Sequence, residues 1–75
     1  MTGTVIHVLP IGVDAKMSST DAPTGSFQVV SQTDKSVIGT VKFFVQGPEW
    51  SRFKWTSPTP TYKTQVGDTL QPIPG

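Results

Sequence analysis

The sequence predicts an all-β fold, a small single-domain antiparallel β-sandwich or partly open barrel built on a three-stranded meander. Three observations carry this. Helix formers are scarce: two Ala, two Leu, two Met and one Glu stand against nine Val, four Ile and eleven Thr, and β-branched side chains suit a pleated, half-buried surface. Residues 27–32, 37–46 and 50–56 are β-branched and aromatic runs bounded by turn formers. Seven Pro and seven Gly provide turns and extended arms.

Taken in order, residues 1–9 read as a strand or arm. Val5, Ile6, Val8 and Leu9 do not alternate cleanly, which suggests burial on both sides or contact with another subunit. Pro10 ends this strand or confines it to an edge. Residues 10–26 read as a long loop. Asp14-Ala15-Lys16-Met17 is compatible with one helical turn, and residues 18–25 are dense in turn formers.

The meander follows. A three-residue loop at Asp34-Lys35-Ser36 sets Phe27 opposite Phe43 and Val29 opposite Val41. A second three-residue loop, Gly47-Pro48-Glu49, sets Phe43 opposite Phe53 and Val41 opposite Trp55. Both choose one inward face, with Val37 and Val45 flanking it. The outward face then holds Gln28, Val30, Gln32, Ile38, Thr40, Lys42, Phe44, Gln46, Trp50, Arg52 and Lys54. On it Lys42 lies opposite Lys54, and Phe44 opposite Arg52.

Residues 57–75 read as a Pro-rich extended arm with one or two short strands. Two prolines in 57–61 remove ladder donors, and that stretch is expected to be polyproline-like. Residues 62–66 and 69–71 are the candidate short strands, with a turn at Gly67-Asp68.

A chain of 75 residues forms one domain. It buries only about 60% of its unfolded surface, so its own core leaves it marginally stable. Without cysteine it has no disulfides or thiolate ligands; close packing and oligomerisation remain. The absence of Asn excludes N-glycosylation. A formal net charge of +1 is too small to imply a polyanion partner by itself. The sequence shows neither a signal peptide nor a long apolar run, so synthesis in a cytoplasm, without a membrane partner, is expected.

No catalytic, cofactor or metal site is expected. His7 is the sole histidine and reads as a structural or surface residue, since one His without Cys cannot build the usual tetrahedral zinc site. Asp34, Glu49 and Asp68 fall in turns, where carboxylates serve turn geometry. Asp14 and Asp21 fall in the loop without calcium-type spacing. No Ser or Thr sits in a nucleophile elbow.

One constellation remains: Lys42, Phe44, Trp50, Arg52 and Lys54, an aromatic and basic face for binding a partner. Trp and Arg are enriched at protein–protein hot spots. Aromatic platforms beside basic residues also bind single-stranded nucleic acid, as small barrels of the oligonucleotide-binding type do. The protein reading is favoured. The expectation is a non-enzymatic structural or interaction protein in a homo- or hetero-oligomeric assembly, concretely a small phage or virus particle protein (minor capsid, decoration or tail-associated). Its arms, 1–3 and 57–75, and its loop at 11–26 would reach neighbouring subunits. The alternative is a small barrel that binds single-stranded nucleic acid through the same face. A minor alternative is an inhibitor of a host protein.

Overall fold

Alternation of apolar and polar side chains sorts the chain into the inner and outer walls of a barrel. The computed structural model describes residues 2–19, 23–56 and 63–73. Six strands run through them: β1 (Gly3–Val8), β2 (Gly12–Met17), β3 (Ser26–Val30), β4 (Val37–Gln46), β5 (Ser51–Trp55) and β6 (Thr69–Pro72). They close in the order β1-β2-β5-β4-β3-β6, and every neighbouring pair is antiparallel. The all-β class expected from composition is therefore the one adopted. Closure goes beyond a partly open barrel and leaves no free sheet edge among these strands.

The core is Val5, Val13, Ala15, Phe27, Val29, Val41, Phe53 and Leu70, with Phe43, Trp55, Val8, Met17 and Ile38 packed around it. Fully burying a Val, Leu or Phe side chain contributes about 1.5–3 kcal/mol. Phe53 sits at the centre, edge-on to Phe27 at 5.4 Å and to Phe43 at 6.0 Å between ring centroids.

Bulges bend the staves and explain the irregular patterning. Three residues have no cross-strand partner where the ladder register shifts: Ile6 in β1, and Ile38 and Phe44 in β4. The extra residue at Ile6 lets Val5 and Val8, three apart, both turn inward, which resolves the broken alternation of this strand.

Several sequence expectations are corrected. The loop at 10–26 contains β2. Val13 and Ala15 point inward and Asp14 lies between them on the other wall, so a strand replaces the helical turn. Leu9 and Gly12 exchange backbone hydrogen bonds, making Pro10-Ile11 a two-residue hairpin loop. β1 is not a free arm, because it pairs with β2 and β6. In the C-terminal arm, β6 closes the barrel between β1 and β3 and contributes Leu70 to the core. Residues 63–66 form no strand. The polyproline expectation for 57–61 lies outside the described residues.

Register is corrected in two places. Phe27 faces Val41 and Val29 faces Gly39, two residues from expectation, which preserves the inward face. The cause is a longer turn at 31–36. Ser31 N–H donates to the Ser36 carbonyl (2.8 Å), and Lys35 takes a left-handed backbone (φ 64°). The Asp34 carboxylate accepts from the Ser36 amide (3.0 Å) and hydroxyl (2.7 Å). In the second hairpin Phe43 faces Phe53, Val41 faces Trp55 and Lys42 faces Lys54, as expected. The Phe44 bulge then sets Val45, not Phe44, opposite Arg52 and leaves 47–50 as the turn. Val45 is consequently outward and 41% exposed; Val37, also expected inward, is 54% exposed. Val30, expected outward, is buried.

One end of the barrel is fastened by Asp68, which is buried. Its carboxylate accepts from the backbone amides of Gln32 (3.1 Å) and Gln65 (2.8 Å), and its carbonyl accepts from Val5 (2.8 Å). Asp68 thus serves turn geometry, tying the turn at 31–36 to the entry of β6.

Candidate functional site

The sheet wall formed by β2, β5 and β4 brings the expected face together. Two cross-strand rows define it. One runs Asp14–Arg52–Val45, extended on β1 by His7. The other runs Gly12–Lys54–Lys42 and continues to Ser26 on β3. Phe44 stands at the bulge beside them, and Trp50 sits in the turn before β5 rather than in the strand.

The first row satisfies itself. Arg52 donates through Nε to Asp14 Oδ1 (2.8 Å) and through Nη2 to Oδ2 (3.2 Å), a bidentate, charge-assisted pair. The Asp14 side chain is 3% exposed and that of Arg52 32%. His7 Nδ1 lies 3.5 Å from Asp14 Oδ2. Hydrogen bonding to Asp14 raises the Arg52 pKa above its already high ordinary value. The guanidinium also lies 4.8 Å from the Trp50 ring centroid, within cation–π range. The indole folds back over the turn, where a Cβ at Gly47 would overlap it. Gly47 N–H donates to the Trp50 carbonyl (2.8 Å).

The second row is left open. Lys42 and Lys54 are exposed and directly opposed. Lys54 Nζ lies 3.9 Å from the Phe44 ring centroid. Neither lysine has an ion-pair partner among the described residues. Phe44 is 49% exposed. With Val45 it forms an apolar step next to two ammonium groups.

All five expected residues thus lie on one wall, but they divide into two groups. Trp50 and Arg52 are engaged internally, whereas Lys42, Lys54 and Phe44 face outward. Three further residues belong to this surface: His7, Asp14 and Lys16. Ile6, His7, Lys16, Glu49 and Trp50 line a shallow depression of about 530 Å³. The signal for Asp14 and Lys16 was their alternation with Val13, Ala15 and Met17. Among the described residues, no group of three or more His, Cys, Asp or Glu side chains is placed to hold a metal ion. No helix among them is long and apolar enough to cross a membrane. Comparison with known protein families, with curated proteins and with solved structures finds no match.

Proposed function

We propose that the protein is a non-enzymatic interaction module that works as a component of an assembly, docking on a protein partner through the outer wall of β4 and β5. A small phage or virus particle protein, of minor capsid, decoration or tail-associated kind, is the concrete form of this reading. The observation that carries it is the step of Phe44 and Val45 beside the opposed pair Lys42 and Lys54. An exposed aromatic next to basic groups is suited to anchoring a protein contact. Closure of the barrel adds support, because docking by strand addition needs a free edge and the described strands offer none.

The single-stranded nucleic-acid reading uses the same wall and is less well supported. It needs several open aromatic platforms, and Trp50 is held against Arg52 and Gly47, which leaves Phe44 as the exposed ring of this face. A photocrosslinking amino acid placed at position 44, in the host that makes the protein, tests the choice. A control at Gln71 on β6, which shares no pairing with β4 or β5, reports non-specific contact. The expected result is a protease-sensitive adduct at 44 that is absent at 71. A nuclease-sensitive adduct would select the alternative, and no adduct at 44 would reject the docking wall.

A further inference from the structure

We infer that the partner of this wall is a different polypeptide that presents carboxylates beside an apolar side chain. The inference rests on the docking role proposed above and specifies what docks. Its starting point is the unneutralised pair Lys42 and Lys54. Like charges directly opposed on a sheet are unfavourable, and a carboxylate at the next position across would relieve such a pair. In this row those positions are Gly12 on β2 and Ser26 on β3. Position 12 cannot accept a carboxylate, because even a Cβ there would overlap the backbone carbonyl of Phe53. The close approach of β2 to β5 therefore leaves Lys54 without a neighbour on that side. One row away the same two strands hold Asp14 against Arg52 at 2.8 Å.

Two other occupants fit less well. A second copy docking through the same face in a two-fold dimer would repeat the patch on both sides, setting the lysine pairs of both copies in one interface. Like-charge juxtaposition of that kind suppresses a contact. A nucleic-acid strand would use cations for phosphates and open rings for bases. The patch on β4 and β5 offers two lysines without an ion-pair partner among the described residues, its Arg52 is tied to Asp14, and the Trp50 ring already carries the Arg52 guanidinium, which leaves Phe44 as one exposed ring where stacking on a strand calls for several. An acidic peptide segment matches both halves of the patch, with carboxylates on Lys42 and Lys54 and an apolar side chain on Phe44 and Val45.

Selection of random twelve-residue peptides displayed on phage, against the immobilised full chain, tests this. The enriched peptides are then synthesised and titrated against wild type, K42E/K54E and Phe44→Ser, with fluorescence of the two tryptophans confirming the fold. Lys42→Gln with Lys54→Gln serves if the charge reversal does not fold. The expected result is a consensus of Asp or Glu next to Leu, Ile or Phe, with affinity lower by about tenfold or more in K42E/K54E and lower in Phe44→Ser. Peptides without an acidic consensus, or binding unchanged in K42E/K54E, overturn the inference. If such peptides still lose affinity in Phe44→Ser, the docking wall survives and only its partner chemistry is wrong. If no peptide enriches, or none depends on either variant, wall and partner fall together. A titration with an oligothymidine is run in parallel; binding that disappears in K42E/K54E assigns the lysines to phosphate and also overturns the inference.

Discussion

Arg52 and Lys54 leave β5 on the same side, two positions apart, and β2 treats them in opposite ways. Across from Arg52 it places Asp14; across from Lys54 it places Gly12. Arg52 is consequently held by two hydrogen bonds and stacked near Trp50. Among the described residues Lys54 has the face of Phe44, and across the ladder another lysine. The difference originates in packing. β2 and β5 approach so closely at Gly12 that no side chain fits there, whereas two residues later a whole carboxylate is accommodated. The same strand pair therefore builds a self-contained charge cluster at one row and leaves a lysine without a carboxylate opposite it at the next.

Removing each cation gives the largest contrast. Arg52→Ala strands the Asp14 carboxylate, 2% exposed, with His7 as its remaining ion-pair neighbour among the described residues, and a buried charge without its partner is strongly destabilising. Asp14→Ala is expected to cost less, about 1.5–3 kcal/mol for lost hydrogen bonds to a charged group, because Arg52 is a third exposed and can turn to water. The double variant should be more stable than Arg52→Ala alone. Lys54→Ala, in contrast, should stay within about 0.5 kcal/mol of wild type. Urea midpoints of the four variants check the order. Equal losses for Arg52→Ala and Lys54→Ala would remove the distinction between the rows.

The next largest effect is at Gly12 itself. Gly12→Ala forces a methyl group against the Phe53 carbonyl and neighbouring backbone. Overpacking costs about 1–3 kcal/mol, and here the obstacle is backbone that cannot rotate away, so the upper part of that range is expected. The seam between β2 and β5 should open first, visible as faster amide exchange at Trp55, whose N–H donates to the Ile11 carbonyl across it, than at Phe43, whose N–H donates to the Gly25 carbonyl. A variant as stable as wild type would show that the open row is not imposed by packing.

The sequence made one wall of this barrel readable and hid the other. Phe27, Val29, Val41 and Phe53 were expected inside and are buried, because alternation within each strand is a local property and survives a two-residue register shift. The second hairpin was read correctly from Val41 to Phe43. It fails at Phe44, where a bulge adds one residue; no local signal marks a bulge in a run such as Phe43-Phe44-Val45. β2 is hard to read from the sequence for a different reason. Gly12-Val13-Asp14-Ala15-Lys16-Met17 alternates, yet Asp, Ala and Lys are poor strand formers. Pairing with β1 and β5 on both sides overrides that propensity. With β2 missed, the Asp14–Arg52 pair, separated by 38 positions, was out of reach. The lysine pair needed only one hairpin and was legible.

The smallest effect lies at the far end of β4, in the turn that shifted the first register. Hydrogen bonds from the Ser36 hydroxyl and then its amide lower the Asp34 pKa below the ordinary carboxylate value of about 3.9. A folded-state pKa below the unfolded one means that the unfolded chain binds the proton more readily. The turn's contribution is therefore fully present above the ordinary carboxylate pKa and is lost as pH falls through the lower folded value. Acid acts on the whole molecule, so the informative quantity is the difference between wild type and Asp34→Ala. That difference in urea midpoint should be constant above about pH 5 and shrink below about pH 4. Because Asp34 is solvent-exposed, it should be smaller than the effects at Arg52 and Gly12. A difference that stays constant down to pH 2 would show that Asp34 holds Ser36 and the left-handed Lys35 equally well without its charge.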